Sequence, residues 1–256
     1  MGVRKLYVLP GGYITLDKGI LTYETDMGEK VLIPVCTYLI VTDEGNILVD
    51  TGLNPDGVEK PEVAWGERAK FVVPKITKED SILNRLLEIG FKPEDIDIVV
   101  NSHLHFDHTG GNRFFTNASF IVQKDEFRYA LFPDNYRKGS YIRNHFDHPL
   151  KYDLIEGDKE IVSGVSVLET AGHTPGHQSI IVSLKRSGTV VLPIDAIYMK
   201  ENIERDIPAG NTWNSVLAMK SMHRLMHVVR REMGSFIFGH DPGFWGSIKK
   251  APDFYD

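Results

Sequence analysis

Short runs of apolar residues, rich in β-branched and aromatic side chains, recur along the chain. Gly, Asn or Asp bounds several of them, which is typical of strands separated by turns. The Asp-Glu-Gly-Asn break at residues 43–46 has turn chemistry, so residues 32–50 are predicted to form a hairpin that ends at Asp50-Thr51-Gly52. The predicted strands cover residues 32–41, 47–49, 96–100, 120–122, 180–184, 190–194 and 236–238.

Helical periodicity is present in two segments. Residues 78–89 follow a Thr-x-x-Asp sequence of the capping type, and Gly90 ends the pattern. Residues 213–231 follow Asn211 and Thr212, either of which is a suitable N-cap. Their apolar positions make a stripe that is typical of a helix packed on a core. The stripe consists of Trp213, Val216, Leu217, Met222, Leu225, Met226 and Val229.

The two halves of the chain have a similar organisation. Each half combines strand-rich segments with one strong helix, and no tandem repeat or low-complexity linker separates them. We therefore predict an α/β fold, a four-layer αββα sandwich that forms a single domain over residues 1–256. Residues 51–74 and 131–150 are the least regular segments, and they are long enough to be lids or binding loops.

Composition narrows the class of protein. The chain has 256 residues, of which 42% are hydrophobic and 25% charged, and these values exclude disorder, collagen and coiled coil. Its 35 acidic residues outnumber 29 basic ones, which argues against a nucleic-acid or anionic-membrane partner. Cys36 is the single cysteine, so a disulfide within the chain is excluded and a cytoplasmic location is expected. No apolar run approaches the length of a membrane span.

The candidate chemistry is concentrated directly after the predicted strand 96–100. His103, His105, Asp107 and His108 place four ligands within six residues. Imidazole nitrogen and carboxylate oxygen bind zinc and similar divalent metals. His103 and His105 alternate in an extended segment and can face one ion, whereas the next two ligands follow a turn and can address a neighbouring ion. Two adjacent metal ions are therefore predicted.

Three further segments, later in the chain, offer donors. His173 lies in a Gly-His-Thr-Pro-Gly-His segment, Asp195 in Pro-Ile-Asp, and His240 in Phe-Gly-His-Asp. Any one of them alone fits a surface or hydrogen-bonded core residue better than a ligand, but the combined pattern favours a metal site. His223 and His227 have helical ligand spacing without the glutamate of the zincin motif, so they are interpreted as a solvated helix flank.

These residues carry a family resemblance. The His-x-His-x-Asp-His segment, with the later His, Asp and His, is similar to the metallo-β-lactamase superfamily, whose αββα fold agrees with the predicted sandwich. Residues 103–112, 173–179 and 194–202 more specifically resemble N-acyl homoserine lactone lactonases, the last through a tyrosine three positions after an aspartate. The resemblance runs along most of the chain. It implies a dinuclear-metal hydrolase that opens the ring of N-acyl homoserine lactones, a reaction known as quorum quenching.

The resemblance also implies the metal ligands and the nucleophile. Nitrogen and oxygen ligands without a thiolate make zinc the first expectation, and cobalt, iron and manganese are chemically admissible. Two adjacent cations lower the pKa of a bridging water, so a hydroxide can attack the lactone without a serine or cysteine nucleophile. In this scheme His103, His105 and His173 bind one ion, Asp107, His108 and His240 bind the other, and Asp195 bridges them.

Three roles near the metals follow from the same resemblance. Tyr198 is expected to donate a hydrogen bond to the lactone carbonyl and stabilise the charge that grows on it. Asp107 is expected to carry a proton to the leaving alkoxide as well as to bind metal. Phe106, between ligand positions, is the expected apolar contact of the acyl chain. The loop aromatics fit packing or a subunit contact at least as well as substrate binding, and these are Trp65, Phe71, Phe132, Tyr136, Tyr141 and Phe146.

Other functions stay open at this point. A glyoxalase-II-like thioesterase has a similar metal arrangement and needs a basic subsite, for which Lys249 and Lys250 are available. A metal-dependent phosphodiesterase is disfavoured by the acidic charge balance. A receptor that binds an acyl lactone without converting it is the non-enzymatic alternative. The sequence does not determine whether the protein is a homodimer or a monomer. It does not determine the preferred acyl-chain length either.

Overall fold

Two β-sheets organise the chain over residues 2–256, which the computed structural model describes. The larger sheet contains β1 (Val3–Asp17), β2 (Lys30–Thr42), β3 (Gly45–Val49), β4 (Val73–Lys75), β5 (Ile98–Val100), β6 (Ser119–Gln123) and β7 (Lys151–Ile155), in the order β4-β1-β2-β3-β5-β6-β7. The smaller sheet contains β8 (Lys159–Val162), β9 (Val165–Glu169), β10 (Gln178–Leu184), β11 (Gly188–Leu192) and β12 (Ser235–Phe236), in the order β12-β11-β10-β9-β8.

Helices connect and cover the strands, and α7 is much the longest of those described. No helix in residues 2–256 combines the length and apolar character that crossing a membrane requires. The helices are α1 (Pro61–Trp65), α2 (Ile82–Glu88), α3 (Phe106–Thr109), α4 (Lys124–Leu131), α5 (Arg143–Phe146), α6 (Lys200–Arg205), α7 (Ser215–Arg231) and α8 (Pro242–Trp245).

Alternation along the strands builds the layers. In β1, Leu6 and Val8 belong to a buried cluster that contains residues of both sheets, whereas the neighbouring Tyr7 and Leu9 belong to a cluster with helix α2. On the far side of the smaller sheet, α7 packs its buried face against Val191 and its neighbours. The order helix, sheet, sheet, helix confirms the predicted four-layer αββα sandwich. Its extent as a single domain over residues 1–256 stays a prediction.

Strand direction brings the candidate residues to one edge. β3, β5, β6 and β7 run parallel, so the loops that follow β3 and β5 leave the larger sheet at the same edge. In the smaller sheet, β9 and β11 both pair antiparallel with β10, and β12 pairs parallel with β11. The loops after these three strands therefore share one edge as well.

Several predicted boundaries need correction. The hairpin is confirmed, with Thr42 opposite Gly45. The strand predicted at 96–100 begins at Ile98 because Pro93–Asp95 forms a 3-10 turn, and the strand predicted at 236–238 ends at Phe236, where its pairing with β11 stops. β1 was not predicted, because Pro-Gly-Gly interrupts its apolar pattern, and neither were β4, β7, β8 and β9.

The predicted helices also shift at their starts. Lys78–Asp80 is a 3-10 turn, and α2 follows it at Ile82. Helix α7 begins at Ser215 because the side chain of Asn214 accepts the backbone N–H of Leu217, so the predicted caps Asn211 and Thr212 are wrong. Val216 of the predicted stripe is exposed. The face that is buried consists of Ala218, Ser221, Met222, Leu225 and Val228.

Candidate metal centre

The seven ligands predicted from the sequence lie together where the two sheets present their loops. They form two groups, and within each group one donor atom per residue lies within 4.8 Å of every other. All but Asp107 are buried. The first group is His103, His105, His173 and Asp195, and the second is Asp107, His108 and His240.

Asp195 lies between the two groups. Its Oδ2 is 3.6 Å from Nε2 of His103 and 3.2 Å from Nε2 of His173. Its Oδ1 is 3.4 Å from Nε2 of His108 and 3.2 Å from Nε2 of His240. Each carboxylate oxygen therefore faces the histidines of a different group, which is the arrangement of a bridging ligand.

Unpaired polar atoms show that these residues fit metal ions. Nε2 of His103, Nε2 of His108, Nδ1 of His173 and Oδ1 of Asp195 are buried without a hydrogen-bond partner. Buried nitrogen and oxygen atoms are almost always hydrogen-bonded, because leaving them unpaired is costly. Two of these atoms, Nε2 of His103 and Nε2 of His108, face the Asp195 carboxylate, which has an unpaired oxygen of its own. Divalent cations satisfy such a donor set, and its borderline nitrogen and oxygen chemistry agrees with that use.

Asp50 orients two of the histidines and was not identified from the sequence. Its Oδ2 lies 2.8 Å from Nδ1 of His108 and accepts the Ser102 hydroxyl at 2.7 Å, while Oδ1 accepts the Ser102 backbone N–H at 2.7 Å. The Ser102 hydroxyl oxygen is 3.0 Å from Nδ1 of His103. A proton on each Nδ1 leaves each Nε2 with a lone pair for a metal. The available signal was a carboxylate directly after the buried strand β3.

His240 is oriented by the backbone. Its Nδ1 lies 2.7 Å from the carbonyl oxygen of Pro34, so Nδ1 carries the proton and Nε2 points toward Asp195. Pro34 belongs to β2 of the larger sheet, whereas His240 follows β12 of the smaller one. The contact therefore ties one ligand to the opposite sheet.

His177 supports the bridging aspartate. Its Nε2 accepts the backbone N–H of Asp195 at 3.2 Å, and its Nδ1 lies 2.9 Å from the hydroxyl of Thr170. That hydroxyl is 2.9 Å from the Ser179 hydroxyl, which donates to the carbonyl of Pro193 at 2.9 Å. The chain of hydrogen bonds holds both ends of the short turn that carries Asp195. His177 thus has a structural position outside both ligand groups.

Burial and neighbouring charges set the protonation states. Burial lowers the pKa of His173 to about 4, and burial together with the charge of His108 holds the pKa of His103 well below its ordinary value. Burial opposes ionisation of Asp195, but the surrounding histidines, His108 first, hold its pKa well below the usual range. The Asp195 carboxylate in turn raises the pKa of His108 and of His240, so metal binding to these two histidines releases protons.

Tyr198 and Phe106 both lie beside the ligands. The Tyr198 ring centroid is 5.7 Å from that of His173 and 5.4 Å from that of His240. Burial raises the pKa of Tyr198 well above 10, so its phenol stays protonated and can donate a hydrogen bond. Phe106 is buried in an apolar cluster and, with Tyr198 and Asp195, lines a narrow pocket next to Asp107.

The other predicted candidates lie elsewhere or are engaged. Lys250 donates to the carbonyls of Trp245 and Ile248, and Lys249 to that of Phe254, so both cations are bound near the end of the chain. His223 is exposed and paired with Asp206. Of the loop aromatics, Trp65, Tyr141 and Phe146 are buried, whereas Phe71, Phe132 and Tyr136 are exposed.

A family model of the metallo-beta-lactamase superfamily matches residues 32–226. The chain belongs to this superfamily. An N-acyl homoserine lactonase of a Bacillus sp is 43% identical over 255 residues, covering 99% of this chain and 100% of that relative. The N-acyl homoserine lactonase AttM of Rhizobium radiobacter is 33% identical, with 98% of each chain covered.

Solved structures agree with these relatives. An N-acyl homoserine lactone hydrolase with the product N-hexanoyl-L-homoserine at its catalytic metal center has a TM-score of 0.91 and 40% identity, with 100% of both chains covered. The resemblance stated from the motifs is therefore confirmed, as is the metallo-β-lactamase fold. The chain is a metal-dependent hydrolase of this superfamily, and its two ligand groups are suited to two divalent metal ions.

Proposed function

We propose that this protein opens the lactone ring of N-acyl homoserine lactones by hydrolysis, and so acts as a quorum-quenching enzyme. The observation that carries the proposal is the position of Asp195, whose two oxygens face two histidine groups in a chain 43% identical to an N-acyl homoserine lactonase. A bridging carboxylate between two nitrogen-rich groups is suited to a pair of ions acting on one substrate.

In this proposal zinc occupies both groups. Bound there, two divalent cations lower the pKa of water toward neutrality and polarise a carbonyl group. The protein's part is to orient the ligands through Asp50 and the Pro34 carbonyl, and to exclude bulk water with buried residues around Phe106. The proposed ligands are His103, His105 and His173 for one ion, Asp107, His108 and His240 for the other, and Asp195 for both.

Tyr198 and Asp107 act on the substrate's oxygens. Water adds across the bond between the carbonyl carbon and the ring oxygen, so the carbon gains a hydroxyl and the ring oxygen gains a proton. The Tyr198 phenol donates a hydrogen bond to the carbonyl oxygen as negative charge grows there. Asp107, the partly exposed member of its group, delivers the proton to the leaving ring oxygen. The product is an N-acyl homoserine.

Phe106 is proposed to contact the acyl chain. It lies between two ligands in the sequence and lines the pocket beside them together with Ile14 and Leu16. Apolar walls next to a polar centre are typical of sites for small amphipathic ligands. No observation favours the thioesterase over the lactonase, since Lys249 and Lys250 are bound to backbone carbonyls. The cytoplasmic location, the homodimer and the absence of nucleic-acid and membrane partners stay predictions.

The test is mass-resolved turnover by metal-reconstituted protein. Short- and long-chain acyl homoserine lactones are compared with a glutathione thioester and an activated phosphodiester. We expect addition of one water to the lactones at rates well above those for the other two substrates, and a His173→Ala control should lose both bound metal and turnover. Selective thioester or phosphodiester cleavage would overturn the substrate assignment, and no turnover with two ions bound would favour the receptor.

A further inference from the structure

Glu126 is a buried acid that lies outside both ligand groups. It sits in the first turn of α4 and has no exposed surface. Its Oε1 accepts the backbone N–H of Leu104 at 2.9 Å and the hydroxyl of Tyr141 at 3.2 Å, and its Oε2 accepts the backbone N–H of Gly176 at 3.3 Å. The carboxylate is thus held by three donors from three separate segments.

The burial of this side chain requires an explanation. Among the described residues, no Lys, Arg or His forms an ion pair with Glu126. Moving a carboxylate out of water is costly, and burial raises the pKa of Glu126 while the donors lower it. An apolar side chain would avoid that cost in a region already rich in apolar contacts. An apolar side chain at this position could not accept the three hydrogen bonds. The pairing of these donors is therefore what the buried carboxylate provides.

Two of these donors lie within three residues of metal ligands, in loops of opposite sheets. Leu104 lies between His103 and His105 in the loop after β5 of the larger sheet. Gly176 lies three residues after His173 in the loop before β10 of the smaller sheet. One carboxylate therefore spans the two loops that supply the histidines of the first ligand group.

The loops approach each other closely at this point. A Cβ on Gly176 would lie 2.3 Å from the backbone nitrogen of Glu126, so only glycine allows the observed packing. Nδ1 of His105 and Nε2 of His173 are 3.0 Å apart. The third donor, Tyr141, places its ring 4.8 Å from the His105 ring. Each of the three donors to the carboxylate thus lies close to a ligand of the first group.

We infer that Glu126 is a positioning residue that fixes the spacing of the two loops carrying His103, His105 and His173, and so controls the affinity for the ion that these ligands hold more strongly than the affinity for the other ion. The inference rests on the proposed use of two ions, and it adds a selective control of one of them. Leu104 also lies three residues before Asp107 of the second group, but none of the three donors lies in the loop of His240, which follows β12. Outer residues that orient metal ligands commonly change metal affinity by about 10–100-fold.

The test measures each site separately with cobalt alone. In a His240→Ala background the first ligand group is retained, and in a His173→Ala background the second is. Cobalt affinity is read by chelator competition and by absorption spectra. We expect Glu126→Gln, whose amide presents a donor to one of the N–H groups, to weaken cobalt binding about 10–100-fold in the first background. In the second background we expect a smaller loss, of less than about threefold, because only one of the three donors, Leu104, lies in a loop that supplies ligands of the second group.

Matched controls separate positioning from general damage. Asp125→Asn removes a charge from the same turn of α4 at an exposed position and should leave both affinities unchanged. Tyr141→Phe removes one of the three donors and should give a smaller loss in the first background only, which keeps the test available if Glu126→Gln does not fold. Equal losses in both backgrounds, or no loss in either, would overturn the inference. Lactone turnover by the wild-type protein tests the proposed function independently of these affinities.

Discussion

Tyr198 is a buried residue that is expected to affect the rate of turnover but not the binding of metal. Its ring contacts the His173 and His240 rings, and its phenol keeps its proton because burial raises its pKa. A protonated phenol is a hydrogen-bond donor that is already in place before charge develops on a substrate oxygen. The two ligand groups are complete sets of histidines and aspartates, and a neutral phenol is a poorer metal ligand than either. Removing the hydroxyl should therefore separate the two properties.

We predict that Tyr198→Phe lowers kcat for acyl homoserine lactones while two ions stay bound. Loss of one donor to a growing oxyanion typically costs about 10²–10³-fold in rate. Steady-state kinetics and metal analysis of the same preparation measure both effects. Tyr129→Phe is the matched control, because the Tyr129 hydroxyl bonds Asp134 at the surface and should not affect kcat. Unchanged kinetics in Tyr198→Phe would rule out the donor role.

A residue could be identified from the sequence where a local pattern marks it, and not where its role depends on contacts with distant residues. Four of the seven ligand candidates share a local spacing motif, the other three were added from the combined pattern, and the structure brings all seven together. Asp50, Glu126 and His177 act through partners far away in the sequence, so no local pattern distinguishes them from ordinary polar residues. Asp50 is the partial exception, since a carboxylate directly after a buried strand is unusual enough to notice.

At the scale of elements, the hairpin and α7 were predictable and β1 was not. β2 and β3 are apolar runs joined by turn residues, so local pattern determines them. β1 extends over Val3–Asp17 in spite of Pro10 and the glycines after it, because pairing with β2 continues across an irregularity between Pro10 and Tyr13. Tertiary pairing, which no window of sequence contains, decides that strand.

The two long irregular segments are joined by His145 of α5. Its Nε2 donates to the carbonyl oxygen of Ala64 in α1 at 3.1 Å. Burial lowers the pKa of His145 to about 4, and the charge of Arg113 acts in the same direction. The neutral imidazole therefore ties residues 51–74 to residues 131–150.

We predict that the burial of His145 makes the fold sensitive to acid. The pKa of His145 is lower in the folded state than its ordinary 6.5, so the unfolded chain binds the proton more readily. The stabilisation is complete above about pH 6.5 and is lost as pH falls toward 4, by up to about 3 kcal/mol. Denaturant unfolding of metal-free wild type and His145→Gln from pH 7.5 to 4.5 measures it. We expect a shallower pH dependence in the variant; identical slopes would refute the prediction.

The whole molecule places its metal ligands across the two sheets. His103, His105, Asp107 and His108 follow β5 of the larger sheet, whereas the remaining three ligand candidates follow β9, β11 and β12 of the smaller one. The apolar cluster between the sheets holds them together along their length. At the edge where the loops of the two sheets meet, the side chains that face each other are instead buried histidines and carboxylates. Some of their nitrogen and oxygen atoms have no hydrogen-bond partner. Bound cations would therefore join the sheets where apolar packing does not.

Removal of metal should accordingly lower the stability of the fold. A ligand present at about 100 times its Kd stabilises the folded state by about 2.7 kcal/mol, which corresponds to roughly 5–10 °C in Tm for a chain of this size. We predict a rise of that order for each zinc ion added to chelator-treated protein, followed by calorimetry. His173→Ala should retain only part of the rise, because it removes one ligand of the first group, whereas His223→Ala on the surface of α7 should retain all of it. A Tm that zinc does not change would show that the sheets are joined without the ions.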